Sequence, residues 1–147
     1  RRPFARPWRS HRRYGARPRT RAAALIASKI GELNEFLSHD LREPIRFGIG
    51  IHGGEVIVGD IGYRDHMVFT ALGDAVNVAA RLQDMTKSLG CETVVSDEVR
   101  ATAGLSVDAL PRHEVSIRGR NEPMVVHAIT DTQALLALLD EEHVAAA

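Results

Sequence analysis

The chain has 147 residues, 44% of them hydrophobic, which is enough for one domain with a core of its own. Its formal net charge is zero, but residues 1–21 contain nine arginines and no acidic residue, so a basic segment precedes an acidic body. The one cysteine excludes an internal disulfide, and no apolar run approaches the roughly 20 residues of a membrane span, so we expect a soluble protein.

The first segment, residues 1–21, contains three prolines and has neither a helical nor a strand period. Because it has too little apolar surface to bury, we predict that it is disordered. Three roles remain open for it. It could be a solvated tail, an organelle transit peptide, or a nucleic-acid-binding arm whose arginines meet phosphates while Phe4, Trp8 and Tyr14 stack on bases.

A helix is predicted from Ala22 to a point shortly before Pro44, which ends the helical pattern. Its apolar residues recur at helical spacing and form a one-sided stripe of the kind that faces a core. The stripe consists of Leu25, Ile26, Ile30, Leu33, Phe36 and Leu37.

The next stretch has the alternation of β-strands. Apolar residues alternate over 45–51, and we expect Gly53-Gly54 to turn the chain into a second strand, 55–58, as a β-hairpin. Turn chemistry explains Gly53 and Gly54 well and Gly48 and Gly50 less well. Glycine inside a strand often marks a close backbone approach, which we predict here for a ligand or a partner strand.

The remaining elements complete a mixed fold. A strand at 66–71 is followed by a helix that has Asp74 as its N-cap, runs to about residue 89 and has Gly90 after it. Next come a strand that ends at Ser96 and a short helix that Ser96 caps. Two strands within 112–129 and a C-terminal helix or tail complete the chain. Local antiparallel pairs with helices on one side predict the α+β class. We divide the chain into residues 1–21, a folded domain over 22–130, and the tail 131–147.

The helix that begins at Asp74 carries two strong hydrogen-bonding side chains, Asn77 and Arg81. Their i, i+4 spacing places them one above the other on a polar strip beside the apolar residues. The guanidinium of Arg81 suits phosphate oxygens, and the first half of a helix favours an anion. A solvated polar strip is the commoner explanation of such a pair, so the spacing alone leaves both interpretations open.

Four blocks of this sequence, taken in order, resemble the second half of the class III adenylate and guanylate cyclase catalytic domain, over about residues 45–129. The blocks are FGIGIHGGEVIVGDIG, VFTALGDAVNVAARLQ, VVSDEV and IRGRNEPMVVHAI. The resemblance implies an α+β, ferredoxin-like cyclase domain that forms its active site with a second cyclase domain, as a homodimer or with an intact partner. It implies a lyase that converts ATP to cyclic AMP and pyrophosphate in intracellular signalling.

The resemblance also implies roles for particular residues. Asn77 matches the asparagine that positions the ribose, and Arg81 matches the arginine that stabilises charge at the reacting phosphorus. Arg120 matches the basic residue, often lysine in the family, that holds the terminal phosphates. Thr70 matches the base-recognition position, where adenylate-type members have Asp or Thr and guanylate-type members have cysteine, so ATP is the expected substrate.

Two divalent metal ions, Mg²⁺ or Mn²⁺, are the cofactors that the resemblance implies. The family holds them with aspartates in the first half of the domain, whereas this chain has no acidic residue before Glu32, and we assign no metal ligand. His52 and His66 lack the spacing of a zinc site. We therefore expect a cyclase domain truncated at its N-terminus and inactive alone, because it offers Asn77 and Arg81 to an intact partner without supplying the metals.

Other interpretations remain open. The arginine-rich segment is also explained as an out-of-frame translation joined to the genuine frame near Ala22. A domain that dimerises with a full cyclase and only regulates it is the first rival function. A nucleic-acid-binding domain with a basic arm is the second, and the acidic body argues against it. The family suggests a cytoplasmic location, with a parent protein that can be membrane-anchored.

Overall fold

The computed structural model describes residues 15–63, 66–106, 110–117, 122–137 and 139. The α+β class is confirmed, because this part of the chain forms helices and a mixed sheet. The elements are α1 (Ala16–Phe36), β1 (Ile49–Ile51), β2 (Ile57–Tyr63), β3 (His66–Leu72), α2 (Asp74–Leu89), β4 (Thr93–Ser96), α3 (Asp97–Ala103), β5 (Arg112–Val115) and β6 (Met124–Ile129).

The strands form two separate sheets. The larger has the order β1-β4-β6-β5, in which β1 and β4 are parallel and the other two pairs are antiparallel. The smaller is the antiparallel hairpin β2–β3, in which Gly59 lies opposite Thr70. The strands predicted at 66–71 and within 112–129 are therefore confirmed.

The larger sheet has a helical layer on each face, which corrects the expectation of helices on one side. Val95 of β4 packs in a cluster with buried alanines of α1 and with Val99 of α3. Its neighbour Val94 packs in a second cluster with Val78 and Leu82 of α2. Adjacent strand residues point to opposite faces. The buried run of β4 therefore indicates a strand covered on both sides.

The β-hairpin predicted at Gly53-Gly54 is wrong, because β1 pairs with β4 and β2 pairs with β3. Gly50 of β1 packs closely against α2. A Cβ at Gly50 would collide with the carbonyl oxygen of Ala79 and lie 2.5 Å from the backbone nitrogen of Gln83. A close approach at Gly50 was predicted correctly, but the approaching backbone is that of α2 and belongs to neither a ligand nor a partner strand.

The helix α1 begins at Ala16, so the prediction of disorder is wrong for residues 16–21, and the boundary predicted at Ala22 falls inside a helix. The reason is a buried face of small residues, which an analysis of large apolar side chains overlooks. This face consists of Ala16, Thr20, Ala23, Ala24 and Ala27. Pro18 stands in the first turn, where a missing N–H costs no helical hydrogen bond. Residues 1–14 lie outside the described residues.

The apolar stripe predicted to face the core of the domain is largely exposed. Leu25, Ile26 and Leu33 have about half of their surface accessible, and Phe36 is more exposed still. The alanine face packs in the core instead. The helix therefore has a second apolar surface, which the described residues leave uncovered.

The capping residues of α2 and α3 agree only in part with those predicted. Gly90 follows α2 in the left-handed conformation with φ 62°, as predicted, whereas Gly73 and not Asp74 occupies the N-cap position. Ser96 precedes α3 but makes no side-chain capping bond. Near the C-terminus, Leu135 and Leu139 are buried in the core. Among the described residues, no helix has the length and apolar character needed to cross a membrane.

Candidate active site

The helix α2 holds Asn77 and Arg81 on one side, as their spacing predicts. Asn77 is exposed and Arg81 is half-buried, while Val78 and Leu82, each next to one of them, are almost completely buried. The two polar groups are one helical turn apart, about 5.4 Å along the axis. The buried residues of α2 thus fix the direction in which the polar strip faces.

A pocket of about 290 Å³ lies beside Arg81. Asp84 and Met85 of α2 line it together with Ser116 and Ile117, which follow β5. Ile117 is buried against the same cluster as Val78 and Leu82, so the start of this loop is fixed relative to α2. The structure therefore brings Arg81 next to the segment that continues towards Arg120.

Arg120 itself lies outside the described residues. Its predicted role in holding the terminal phosphates stays a prediction. The described loop ends at Ile117, three positions before it in the sequence.

Thr70 lies in β3, close to the point where the strand ends and the chain turns into α2. It is half-buried and lies opposite Gly59 of β2. Neither Thr70 nor Asn77 lines the pocket beside Arg81. The structure thus places three of the predicted residues on two consecutive elements. Asn77 and Arg81 lie one turn apart on α2, and Thr70 lies on β3, the strand that leads into this helix.

The charges along α2 are balanced rather than strongly positive. Asp74 lies in its first turn, where a carboxylate occupies the favourable end of the helix dipole, and Asp84 lines the pocket beside Arg81. An anion at this face therefore depends on Arg81 and on the basic segment that follows Ile117. Sequence reasoning missed Asp84 and Ser116 as lining residues, although Asp84 is at i+3 from Arg81 and this spacing would have indicated it.

A second polar cluster lies on the opposite face of the sheet, at the start of α3. Nε2 of His127 is 2.9 Å from Oδ1 of Asp97, and Nε of Arg100 donates to the same oxygen at 2.7 Å. The hydrogen bond from Arg100, followed by that from His127, holds the pKa of Asp97 below its usual value. Nearby, Nδ1 of His52 is 3.0 Å from the hydroxyl of Ser96, which links the end of β1 to the end of β4.

The described residues offer no fit for a metal pair. Within the described ranges, His, Cys, Asp and Glu side chains nowhere gather in a group of three that could hold a metal ion. The two acidic residues on the polar side of α2, Asp74 and Asp84, are separated by almost three turns of helix. We therefore assign no metal ligand among the described residues.

Comparisons with known proteins agree with this fold. The family model for the adenylate and guanylate cyclase catalytic domain matches residues 19–131. The adenylate cyclase of Anabaena cylindrica is 32% identical over 116 residues, which cover 74% of this chain and 23% of that protein. Adenylate cyclase 1 of Rhizobium meliloti is 30% identical over 121 residues, covering 78% and 18% respectively. This chain thus spans about a fifth of the length of these relatives.

A solved structure gives the same result. The crystal structure of the guanylyl cyclase Cya2 superimposes with a TM-score of 0.60 at 26% identity, covering 75% of this chain and 56% of that one. The fold, the family match and the relatives together define the class of protein. This chain belongs to the family of adenylate and guanylate cyclase catalytic domains.

Proposed function

We propose that this chain contributes half of a shared active site at which ATP is converted to 3′,5′-cyclic AMP and pyrophosphate. One observation carries the proposal. Asn77 and Arg81 lie one turn apart on a helix fixed by its buried face, and Arg81 lines a pocket with the loop that continues towards Arg120. ATP rather than GTP is favoured by the hydroxyl of Thr70 and by the two relatives named as adenylate cyclases.

The reaction needs a positive charge next to the α-phosphate. The 3′-oxygen of the ribose forms a bond to the α-phosphorus as the bond between that phosphorus and the pyrophosphate oxygen breaks. Negative charge increases on the oxygens of the α-phosphate in the transition state, and a fixed guanidinium there stabilises it. Arg81 is the residue that we propose for this task, since Val78 and Leu82 hold its helix rigidly in the core.

The other residues position the substrate. The carboxamide of Asn77 both donates and accepts, so it can orient the ribose hydroxyls. Arg120 is proposed to hold the terminal phosphates, and the hydroxyl of Thr70 to accept a hydrogen bond from the amino group of adenine. Three of the four residues then approach the nucleotide from elements joined directly in sequence, β3 and α2.

The family uses divalent metals, which neutralise the triphosphate and lower the pKa of the attacking hydroxyl. Because the described residues do not fit a metal pair, we propose that a second cyclase domain supplies that half of the site. The chain alone is then expected to form no detectable cyclic AMP from ATP and Mn²⁺. Robust turnover by the purified chain would contradict this part of the proposal.

A mixing experiment tests the function directly. The adenylate cyclase of Anabaena cylindrica, inactivated by alanine at its own residues matching Asn77 and Arg81, is mixed with this chain, and conversion of ATP to cyclic AMP is measured. We expect the wild-type chain to restore activity and Arg81→Ala to restore at least about 100-fold less, as for the loss of one group that stabilises transition-state charge.

A second mixing experiment, with an intact cyclase, separates the rival function. A domain that only regulates its partner would raise or lower the activity of an intact cyclase equally with and without Arg81→Ala. Asp84→Ala is the matched control on the same helix. It lines the same pocket, but we assign it no contact with the reacting phosphorus. No restoration by the wild-type chain, at concentrations where the two proteins associate, would refute the proposal.

A further inference from the structure

The pocket beside Arg81 is too small for a whole nucleotide. Its volume of about 290 Å³ lies just below the range of roughly 300 to 1,000 Å³ that is usual for sites that bury a small molecule. Thr70 and Asn77, which are proposed to contact the base and the ribose, do not line it. The pocket therefore suits one part of a nucleoside triphosphate, and the part that remains for it is the chain of phosphates.

Three of the five described residues that line the pocket have polar side chains. Arg81 carries a positive charge, Asp84 a negative charge and Ser116 a neutral hydroxyl, while Met85 and Ile117 complete the lining. Because the carboxylate of Asp84 offsets the charge of Arg81, a phosphate group held here depends on hydrogen bonds as well as on net charge. Ser116 is the lining residue that can donate such a bond without carrying a charge.

The residues on either side of Ser116 fix its position. Val115 is half-buried against the cluster that includes Leu82 of α2, and Ile117 is 3% exposed within the same cluster. Ser116 between them is exposed. This pattern continues the alternation of β5, in which neighbouring residues point to opposite sides. The hydroxyl of Ser116 therefore lies on the outer side of a backbone that is anchored to the core.

The place of Ser116 in the chain relates it to the phosphates beyond the α-phosphate. Ser116 shares the pocket with Arg81, which is proposed to act at the α-phosphate, and it precedes Arg120 by four residues. Arg120 is proposed to hold the terminal phosphates. A triphosphate bound by both arginines extends from the pocket towards the continuation of this loop, so its pyrophosphate part is the part within reach of Ser116.

We propose that the hydroxyl of Ser116 donates a hydrogen bond to the pyrophosphate part of the bound ATP and to pyrophosphate as it leaves. This role rests on the proposed function, because Ser116 is a further residue of the same site. Negative charge increases on the pyrophosphate as its bond to the α-phosphorus breaks, and a hydrogen bond to a charged oxygen is stronger than one to a neutral oxygen. Ser116 thus assists the departure of the leaving group, whereas Arg81 acts at the α-phosphate.

Two substitutions of Ser116 test this role in the mixing experiment with the inactivated Anabaena cylindrica enzyme. Ser116→Ala removes the donor, so we expect kcat/KM for ATP to fall at least about tenfold, as for one hydrogen bond to a charged group. Ser116→Thr keeps a hydroxyl and should remain within about threefold of the wild-type chain.

Ser88→Ala is the matched control for the same substitution on a neighbouring element. Ser88 is exposed on α2, its hydroxyl donates to the carbonyl of Met85, and it does not line the pocket. We expect this variant to leave kcat/KM within about twofold of the wild-type value, as for a surface substitution.

Inhibition constants show which part of the substrate Ser116 contacts. Pyrophosphate contains only the part that Ser116 is proposed to bind, and adenosine contains only the base and the ribose. In Ser116→Ala we expect the inhibition constant of pyrophosphate to rise at least about fivefold and that of adenosine to change less than about twofold. A general distortion of the site would instead raise both constants.

Three results would overturn the role of Ser116 and leave the proposed function in place. They are an unchanged kcat/KM in Ser116→Ala, an equal loss in Ser116→Thr, and equal changes of the two inhibition constants. Failure of the wild-type chain to restore any activity is a different result, because it would refute the proposed function and the role of Ser116 together.

Discussion

At the scale of single residues, His127 shows how a buried polar group is kept paired. Its side chain is almost inaccessible, and its Nε2 lies against the carboxylate of Asp97. A carboxylate can only accept, so Nε2 carries the proton. Among the described side chains, Nδ1 of His127 is a buried atom without a hydrogen-bond partner. Asp97 is therefore the contact that makes burial of this histidine tolerable.

Substitution of Asp97 should destabilise the protein in a pH-dependent way. Asp97→Ala leaves Nε2–H of His127 buried without an acceptor, so we expect the free energy of unfolding at pH 7 to fall by about 2 kcal/mol. Asp97→Asn keeps an acceptor oxygen and loses only the charge. For that variant we expect a loss below about 1 kcal/mol, as for an exposed ion pair.

The sign of the pH effect follows from the lowered pKa of Asp97. A carboxyl whose pKa is lower in the folded state stabilises the protein above its ordinary pKa, near 3.8, and loses that contribution as the pH falls below it. Urea unfolding of the wild type and Asp97→Asn between pH 7 and pH 3 measures this. The gap between them should shrink below pH 4, and a gap that is constant across this range would contradict the assignment.

Thr70 gives a prediction about substrate selection. If its hydroxyl accepts from the adenine amino group, Thr70→Ala should reduce the preference for ATP over GTP about fivefold, the value of one neutral hydrogen bond of about 1 kcal/mol. Thr70→Ser keeps the hydroxyl and is the matched control. The measurement is the ratio of the kcat/KM values for ATP and GTP in the mixed assay with the Anabaena cylindrica enzyme. Equal ratios for Ala and Ser would exclude the role.

At the scale of elements, sequence patterns predicted those parts of the fold whose signals are local. The helix α2 has an amphipathic period and a C-terminal glycine; it ends at Leu89 as expected and begins at Asp74, which was predicted as its N-cap. The strands β3 and β6 were also predicted, because their sequence signals are local as well. The partner of β1 could not be predicted, because pairing with β4 joins Ile49 to Thr93 across the intervening hairpin and helix.

The candidate site, too, has one part that a local pattern predicts and one part that depends on tertiary packing. The spacing of Asn77 and Arg81 predicts their shared helix face. The contact between the Arg81 pocket and Ser116 needs the tertiary packing of Ile117 on α2, which no local pattern contains. The burial of α1 differs from the prediction because its core face consists of four alanines and Thr20, whereas most of its larger apolar residues are exposed.

The packing of α2 on β1 gives a prediction about stability. A methyl group at Gly50 would collide with the backbone of α2 at Ala79 and Gln83, and a helix backbone cannot move aside as a flexible side chain can. We expect Gly50→Ala to lower the free energy of unfolding by about 3 kcal/mol, at the upper end for overpacking. Urea unfolding followed by circular dichroism measures it.

Gly31→Ala is the matched control for the same substitution in open space. Its Cβ would meet only Oε1 of Gln133, at 3.9 Å, and Gly31 lies within α1. Alanine is favoured over glycine in a helix interior, so this variant should be more stable than the wild type by up to about 1 kcal/mol. A similar loss of stability in both variants would show that close packing at Gly50 is not the cause.

At the scale of the whole molecule, large apolar side chains are exposed on both faces of the hairpin β2–β3, with Phe69 on the face opposite to Val68 and Leu72. Ile57, Val68, Phe69 and Leu72 each have more than half of their surface accessible. The hairpin pairs with no other described strand and is separate from the larger sheet. Exposed apolar surfaces of this kind mark interaction sites. The proposed function, which requires a second cyclase domain, gives this surface a partner.

The last prediction therefore concerns self-association through the hairpin. Phe69 is 66% exposed in β3, and its burial in a dimer would favour association, so Phe69→Asp should weaken the dimer at least about tenfold. Phe36 is 82% exposed at the end of α1, and Phe36→Asp is the matched control that removes the same side chain elsewhere. Sedimentation equilibrium over a range of concentrations measures both. Because the hairpin leads directly into α2, loss of the dimer in Phe69→Asp alone would connect assembly to the helix that carries Asn77 and Arg81. Equal weakening by both variants would instead indicate nonspecific apolar association.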